Sequence, residues 1–288
     1  MEYSVGISLG AGSVSFVKLK LLDSGKREIA ETRVLAHCGN PKKVIAEELP
    51  RFNPEKHPTA VTGRKFRNIV SLSSIPEPLA SELALSLVRR PGVNYTAIAS
   101  LGGETFLVYT LDKFGKISNI ITKNQCASGT GEFFLQQIGR MDVPLEDTQS
   151  IIGNSDPYRV SGRCSVFCKS DCTHALNKGT PKGEVLAGLA MMMADKIKEL
   201  LAKNKEGRAM LVGGVTRNRS VMRFLRESDI DFEVPESAPY FEALGSAIFA
   251  AQNEVAPIGE WADIFAPAKS SFVFHPPLEN FSDKVSFK

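Results

Sequence analysis

The sequence predicts an α/β fold made of two similar halves, each opening with a meander of short strands. An apolar segment at 3–9 runs into the glycine turn at 10–13 and is followed by two more extended segments. The same order of strand, glycine turn and strand returns at 96–111. Long segments with helical periodicity are concentrated after residue 130. Repetition of one pattern indicates internal duplication, and strands mixed with helices are typical of an α/β protein.

Composition is typical of a globular protein and excludes several classes. The chain has 288 residues, enough for two units of about 150 residues. Lys plus Arg is 35 and Asp plus Glu is 32, and the resulting net charge of +3 gives no support for nucleic-acid binding. A hydrophobic fraction of 43% excludes wholesale disorder and a small disulfide scaffold. No apolar run reaches the roughly 18 residues of a membrane span, and residues 1–12 resemble a strand rather than a signal peptide, so we expect a cytoplasmic protein.

The first half is predicted to contain a three-stranded meander, a helix, a short strand and a second helix. Glycine and serine turns separate the apolar runs, as in hairpins. Pro41 begins the first helix, and Pro91 follows the second. The predicted strands are 3–9, 14–22, 28–35 and 61–64, and the helices are 41–49 and 78–88.

The second half is predicted to repeat the meander and then add longer helices. The longest helix has apolar residues at spacings of three and four. The predicted strands are 96–101, 105–111, 117–122 and 210–212, and the helices are 131–139, 164–177, 183–203, 221–225 and 241–251. We expect one half at 1–94, completed by the helix at 240–252, a second half at 95–239, and a C-terminal extension at 253–288.

The two glycine turns are candidate phosphate-binding elements. Glycine lets the backbone come close to a ligand, and successive N–H groups in a turn can bind phosphate oxygens. Two such turns facing one another would form a phosphate clamp, whereas the alternative is a pair of ordinary hairpins. The candidate residues are Gly10, Gly12, Ser13, Gly102 and Gly103.

A third candidate element follows the strand at 210–212. Gly213 and Gly214 end the strand, and Asn218 stands at a predicted helix start. Paired glycines allow a flat ring to lie against the backbone, which would suit an adenosine. The alternative is a plain turn between strand and helix.

Cys126 begins a glycine-rich stretch, with Gly129 and Gly131, that opens a helix. The N-terminus of a helix carries partial positive charge and free N–H groups. It would therefore stabilise a thiolate, or an anionic iron–sulfur cluster bound to one. The alternative is a buried free cysteine.

Three more cysteines, Cys164, Cys168 and Cys172, follow one another at intervals of one helical turn. Their spacing matches neither the usual zinc signatures nor the ferredoxin runs. Two chains, each giving Cys126 and Cys164, could complete a four-cysteine cluster site on a dimer axis. For Cys168 and Cys172 we favour packing as small apolar residues, with a ligand role left open.

In this order the motifs resemble the BadF/BadG/BcrA/BcrD ATPase family over about residues 3–252. That family includes activators of 2-hydroxyacyl-CoA dehydratases and ATPase subunits of benzoyl-CoA reductase. The matching segments are 6–10, 81–83, 101–104, 126–131, 164–167, 213–218 and 243–247.

The resemblance implies an actin-like ATPase fold, with ATP between two ribonuclease-H-like halves. It further implies a homodimer that shares one 4Fe-4S cluster, held by Cys126 and Cys164 of each chain. ATP turnover would change the angle between the helices that these cysteines open. The protein would then pass a low-potential electron from reduced ferredoxin or flavodoxin to a CoA-thioester dehydratase or reductase.

The phosphate turns depart from the family pattern. Ser8 and Ser100 stand where the family has aspartates, which would hold Mg²⁺ and orient the attacking water. Ser15 and Leu107 stand where it has lysines. Nucleotide binding is therefore favoured over fast hydrolysis, and Mg²⁺ binding is an open expectation.

Glu104 and Glu82 are the acids near these motifs that could substitute, and they are the predicted catalytic residues. Two other functions stay open beside the electron-donating ATPase. One is a hydrolysis-deficient regulatory or scaffolding homologue that keeps the fold, the dimer and a cluster. The other is a small-molecule kinase of the same superfold.

Overall fold

The computed structural model describes residues 3–64, 69–122, 130–202, 207–253, 255–259 and 264–265. These residues form two five-stranded mixed sheets flanked by helices, which confirms the predicted α/β class. None of the helices in these ranges is long and apolar enough to cross a membrane.

The first sheet is an antiparallel meander extended by two parallel strands. Its order is β3-β2-β1-β4-β5, so the first strand lies in the middle. The strands are β1 (Tyr3–Leu9), β2 (Ser13–Leu21), β3 (Arg27–Ala36), β4 (Thr59–Thr62) and β5 (Ser73–Ser74). Two helices accompany it, α1 (Pro41–Glu48) and α2 (Glu77–Val88).

The second sheet repeats this topology. Its order is β8-β7-β6-β9-β10, which is again third, second, first, fourth and fifth strand along the chain. The two sheets therefore have the same strand topology, and the division of the chain into two halves stays a prediction. The strands are β6 (Tyr95–Leu101), β7 (Phe106–Leu111), β8 (Ile117–Ile121), β9 (Arg208–Val212) and β10 (Phe232–Glu233). The helices are α3 (Gly131–Arg140), α4 (Thr148–Ile152), α5 (Ser165–Asn177), α6 (Lys182–Leu201), α7 (Arg219–Arg226) and α8 (Phe241–Gln252).

Helix α8 ends the second half in sequence but packs on the first sheet. An added Cβ at Gly6 of β1 would overlap the Ala243 carbonyl oxygen, and one at Gly245 would overlap the Ala80 carbonyl oxygen of α2. Ser4 Oγ donates a hydrogen bond of 2.8 Å to the carbonyl oxygen of Ala247. Helix α8 is therefore held in backbone-to-backbone contact between β1 and α2.

One hydrophobic core joins the two halves. It contains apolar side chains from the first sheet, from α2 and α8 and from the second sheet, so its burial couples the halves energetically. Its members include Val17, Leu19, Leu85, Ile98, Tyr109, Met210, Val212, Phe241 and Leu244.

Parts of the predicted C-terminal extension pack on the first half. Ile258 N donates to Pro54 O over 3.0 Å, and Ser71 N donates to Ile264 O over 2.6 Å. Ile264 is buried in the hydrophobic core between the first sheet and α1. Residues 266–288 lie outside the described ranges.

Replacing Gly245 with alanine tests the contact between α8 and α2. We expect Gly245→Ala to lower the free energy of unfolding by about 1–3 kcal/mol, because the methyl group has no space beside Ala80. Urea denaturation measures the change. Gly139→Ala in α3 is the matched control, since no described atom lies within 4 Å of its added Cβ. Equal stability of the two variants would show that α8 does not pack this closely.

Candidate functional site

The two predicted phosphate turns close in the same way. Gly10 N donates to Ser13 O over 2.9 Å, and Gly102 N donates to Thr105 O over 3.1 Å. Each turn follows the central strand of its sheet, β1 or β6. The repeat in the sequence is therefore also a repeat of backbone hydrogen bonding.

The two turns come close to each other where the halves meet. A Cβ built on Gly103 would lie 3.7 Å from Ala11 Cβ and 3.9 Å from Gly12 N. Backbone N–H groups of both turns can therefore lie beside one chain of phosphates, which suits the predicted clamp.

Helix α3 begins directly on the second turn. Gly131 N donates to Gly102 O over 3.3 Å, and Glu132 N donates to Gly103 O over 2.9 Å. An added Cβ at Gly131 would lie 2.8 Å from Val215 Cγ2, so the 213–218 segment also contacts this helix start. The N–H groups of Gly131 and Glu132 thus fix the second turn instead of awaiting an anion.

The predicted adenosine motif contains two glycines with different surroundings. A side chain at Gly213 would collide with the backbone, whereas among the described residues Gly214 has free space beside it. Gly213 has φ +95° and would bring a Cβ 2.6 Å from Leu101 O, while its N–H donates to Ala238 O over 2.7 Å. No described atom lies within 4 Å of a Cβ built on Gly214, so a flat ring has room there. Asn218 Oδ1 accepts two N–H groups of the first turn of α7, each at 3.1 Å, and so caps that helix.

His37 supports the first turn, which the sequence did not indicate. Its Nδ1 accepts a hydrogen bond from Gly39 N at 3.1 Å. Its Nε2 therefore carries the proton and donates to Gly10 O at 3.2 Å. His37 N also donates to Gly12 O at 3.1 Å. This buried histidine holds two carbonyl groups of the turn in place.

Some positions that carry charged residues in the family are serines in this chain, and these serines face the start of α8. Ser100 Oγ donates to Glu242 Oε1 over 3.1 Å, and Ser15 Oγ donates to Pro239 O over 3.2 Å. By the alternation of a strand, Ser8 lies on the face of β1 that packs on α8. Sequence analysis missed Glu242 because it is 142 residues from Ser100.

Arg64 places a cation beside the second turn. Its Nε and Nη2 each lie 3.2 Å from Glu77 Oε2, and its backbone N donates to Glu77 Oε1 at 3.0 Å. Its Nη1 donates to Thr105 Oγ1. Arg64 follows β4 of the first half, so it links the halves at the turn that lacks the family's lysine.

One electrostatic network includes the side chains of Glu242, Glu77, Arg64 and Tyr109. Burial, and then the Glu77 carboxylate, raise the pKa of Glu242, while Arg64 lowers it by a smaller amount. Burial, and then the carboxylates of Glu77 and Glu242, raise the pKa of Tyr109. The Glu242 carboxyl group is therefore more easily protonated than the carboxyl group of an exposed glutamate.

The two predicted catalytic acids lie in different places. Glu104 is an exposed residue of the second turn. Glu82 lies at the opposite end of β7, where Oε2 contacts Lys116 Nζ at 3.0 Å and Oε1 accepts from Ile117 N at 2.7 Å. These contacts join α2 to the hairpin, and the catalytic role of Glu82 stays a prediction.

Cys164 is the N-cap residue of α5 and its side chain makes no capping hydrogen bond. The thiol is partly exposed, and the nearby Val166 and Phe167 are 69% and 65% exposed. Cys126 and Gly129 lie outside the described residues. A partly exposed thiol at a helix start, beside apolar side chains, suits a site shared with another chain.

A cleft of about 540 Å³ separates the start of α5 from α3. Its walls include Gln136 and Arg140 of α3 and Ser165, Val166 and Lys169 of α5. The helix that begins at the second turn therefore lies beside the helix that begins at Cys164.

Cys168 and Cys172 are buried in the core of the second half. A hydrogen bond with Cys172, together with burial, raises the pKa of the Cys168 thiol. Both therefore pack as small core residues. Within the described ranges, no three His, Cys, Asp or Glu side chains form a metal-binding group.

This chain is similar to several known proteins. The (R)-2-hydroxyglutaryl-CoA dehydratase activating ATPase of Acidaminococcus fermentans is 27% identical over 86% of this chain and 96% of its own. One of the benzoyl-CoA reductase subunits of Thauera aromatica is 28% identical over 49% of this chain and 53% of its own. The activator of the 2-hydroxyisocaproyl-CoA dehydratase from Clostridium difficile, solved with bound ADPNP, superposes with a TM-score of 0.76 at 24% identity, covering 90% of this chain and 100% of that one.

The fold and the family assignment agree. The two sheets and their flanking helices have the actin-like ATPase architecture of that solved activator. The sequence profile of the BadF/BadG/BcrA/BcrD ATPase family matches residues 81–250, which include the second turn, α3, α5 and the 213–218 motif. This chain therefore belongs to the BadF/BadG/BcrA/BcrD ATPase family.

Proposed function

We propose that this protein is an ATP-binding activator that passes a low-potential electron to a CoA-thioester dehydratase or reductase. The observation that carries the proposal is that α3 begins on the second turn and shares a cleft with the start of α5, directly after Cys164. The relatives are named as activators of such dehydratases and as part of such a reductase.

The nucleotide is proposed to bind between the halves. Its phosphates lie between the two turns, with Gly10, Gly12, Ser13, Gly102 and Gly103 as backbone contacts. Its adenosine lies over the open face of Gly214. Arg64 supplies a guanidinium that replaces the missing lysines at the phosphates.

A 4Fe-4S cluster is the proposed cofactor, and it would supply one-electron transfer at low potential. Cys164 fits a ligand role, because its thiol is partly exposed at a helix N-terminus and has no capping bond. One chain provides too few thiols, since Cys168 and Cys172 belong to the core. We therefore propose a homodimer in which each chain gives Cys126 and Cys164, with reduced ferredoxin or flavodoxin as electron donor in the cytoplasm.

Helix α3 is proposed to couple the nucleotide to the electron-transfer site. Its first two N–H groups bind the carbonyls of Gly102 and Gly103, so it follows any shift of the second turn. Its side chains line the same cleft as Ser165 and Val166 of α5. Replacement of ATP by ADP would thus change the position of α3 against the helix that starts at Cys164.

A hydrolysis-deficient regulatory homologue is the second candidate function, and one observation favours it. The hydroxyls of Ser8 and Ser100 stand where carboxylates would bind Mg²⁺, which prefers charged oxygen ligands. The two turns by themselves therefore do not fit the metal, and no step is assigned to it.

Substitution of Arg64 tests the nucleotide site. We expect Arg64→Ala to weaken ADPNP binding about tenfold or more, because a hydrogen bond to a charged group contributes about 1.5–3 kcal/mol. Isothermal titration calorimetry measures the affinity. Arg226→Ala, at an exposed arginine of α7, is the control and should bind like the wild type. If both variants keep wild-type affinity, Arg64 does not contact the phosphates.

Substitution of Cys164 tests the cluster. After anaerobic reconstitution with iron and sulfide, the wild type should be a brown dimer with the visible absorption of a 4Fe-4S cluster. We expect Cys164→Ser to lose this absorption, because serine gives no thiolate ligand. Cys38→Ser, at an exposed cysteine of the first half, should keep it. A colourless wild-type monomer, or a cluster unaffected by Cys164→Ser, would reject the proposed cofactor.

A further inference from the structure

The first turn of α8 holds a carboxylate that the family pattern does not require. Glu242 accepts a hydrogen bond of 3.1 Å from the buried Ser100, which stands where the family has an aspartate. Ser100 lies on β6, two positions before the turn residue Gly102. A carboxyl group is thus present beside the second turn, although it comes from a different element.

Glu242 is not a member of the ion pair between Arg64 and Glu77. Arg64 is bound by both oxygens of Glu77, with its Nε and Nη2 each 3.2 Å from Oε2 and its backbone N 3.0 Å from Oε1. Both members of that pair act on Glu242, because the Glu77 carboxylate raises its pKa and the Arg64 guanidinium lowers it. A carboxylate has about four lone-pair sites, and the bond from Ser100 leaves it able to accept a water molecule.

We propose that Glu242 is a catalytic residue for ATP hydrolysis and replaces the aspartate that Ser100 has displaced. This inference rests on the proposed binding of ATP between the halves. Glu242 accepts a hydrogen bond from a water molecule, whose oxygen attacks the γ-phosphorus. The bond from that phosphorus to the β–γ bridging oxygen breaks, the water proton passes to the Glu242 carboxylate, and ADP and inorganic phosphate leave.

Two physical features support this role. Burial and the Glu77 carboxylate raise the pKa of Glu242, so its carboxylate accepts a water proton more readily than an exposed carboxylate does. The Ser100 hydroxyl fixes one carboxylate oxygen, so the orientation of the group is set before ATP binds. Ser100 is accordingly a positioning residue.

The test moves the carboxylate from position 242 to position 100. Phosphate release from Mg-ATP and ADPNP affinity are measured for the wild type, Glu242→Gln, and the double variant Ser100→Asp/Glu242→Gln. Glutamine keeps the size and the acceptor oxygen but cannot take the proton, so kcat should fall about 100-fold or more with ADPNP affinity nearly unchanged. The double variant returns a carboxylate to the family position and should recover kcat to within about tenfold of the wild type. Glu236→Gln, at an exposed residue before α8, should behave as the wild type.

The outcomes separate this inference from the proposed function. If the wild type binds no ADPNP, the proposed function fails and the inference fails with it. If ADPNP binds but the wild type does not hydrolyse ATP, or Glu242→Gln hydrolyses at the wild-type rate, only the inference is overturned. If Glu242→Gln does not fold, the double variant decides: turnover supports the inference, and a folded, ADPNP-binding double variant without turnover overturns it.

Discussion

The binding of α3 to the second turn is the contact on which the candidate site depends. A helix leaves its first N–H groups without partners, and here Gly131 and Glu132 give theirs to the carbonyls of Gly102 and Gly103. The approach needs glycine at 131, because a side chain there would crowd Val215. The second turn, the 213–218 segment and α3 are thereby joined as one unit.

Ionisable groups lie beside the second turn, although serines occupy the family's aspartate positions in both halves. Removing a carboxylate from water is costly unless it is hydrogen-bonded, and Ser100 supplies that bond to Glu242. Arg64 is partly exposed and is held by Glu77, so its position is fixed while its charge is balanced. The serines at positions 8 and 100 thus occur together with a carboxyl group and a guanidinium group that come from other elements of the fold.

Much of the fold could be predicted because its signals are local. Apolar runs ending in glycine turns marked the strands of both meanders, and spacings of three and four marked the long helices. The strands β5 and β10 were missed because each has two residues and exists only through pairing with its neighbour. Helix α4 has five residues, too few for a periodic pattern.

For the site, the sequence alone determined the glycine turns, the motif at 213–218 and a cysteine at the start of α5, since each depends on residues within a few positions. The sequence could not show which acidic residue lies at the turns. Glu82 was selected because it is close to a motif in the sequence, yet its carboxylate joins α2 to Lys116 and Ile117. Only the tertiary structure brought Glu242 to Ser100 and His37 to Gly10, across 142 and 27 residues. Such contacts follow from how two sheets and α8 pack together, and local preference carries no information about that packing.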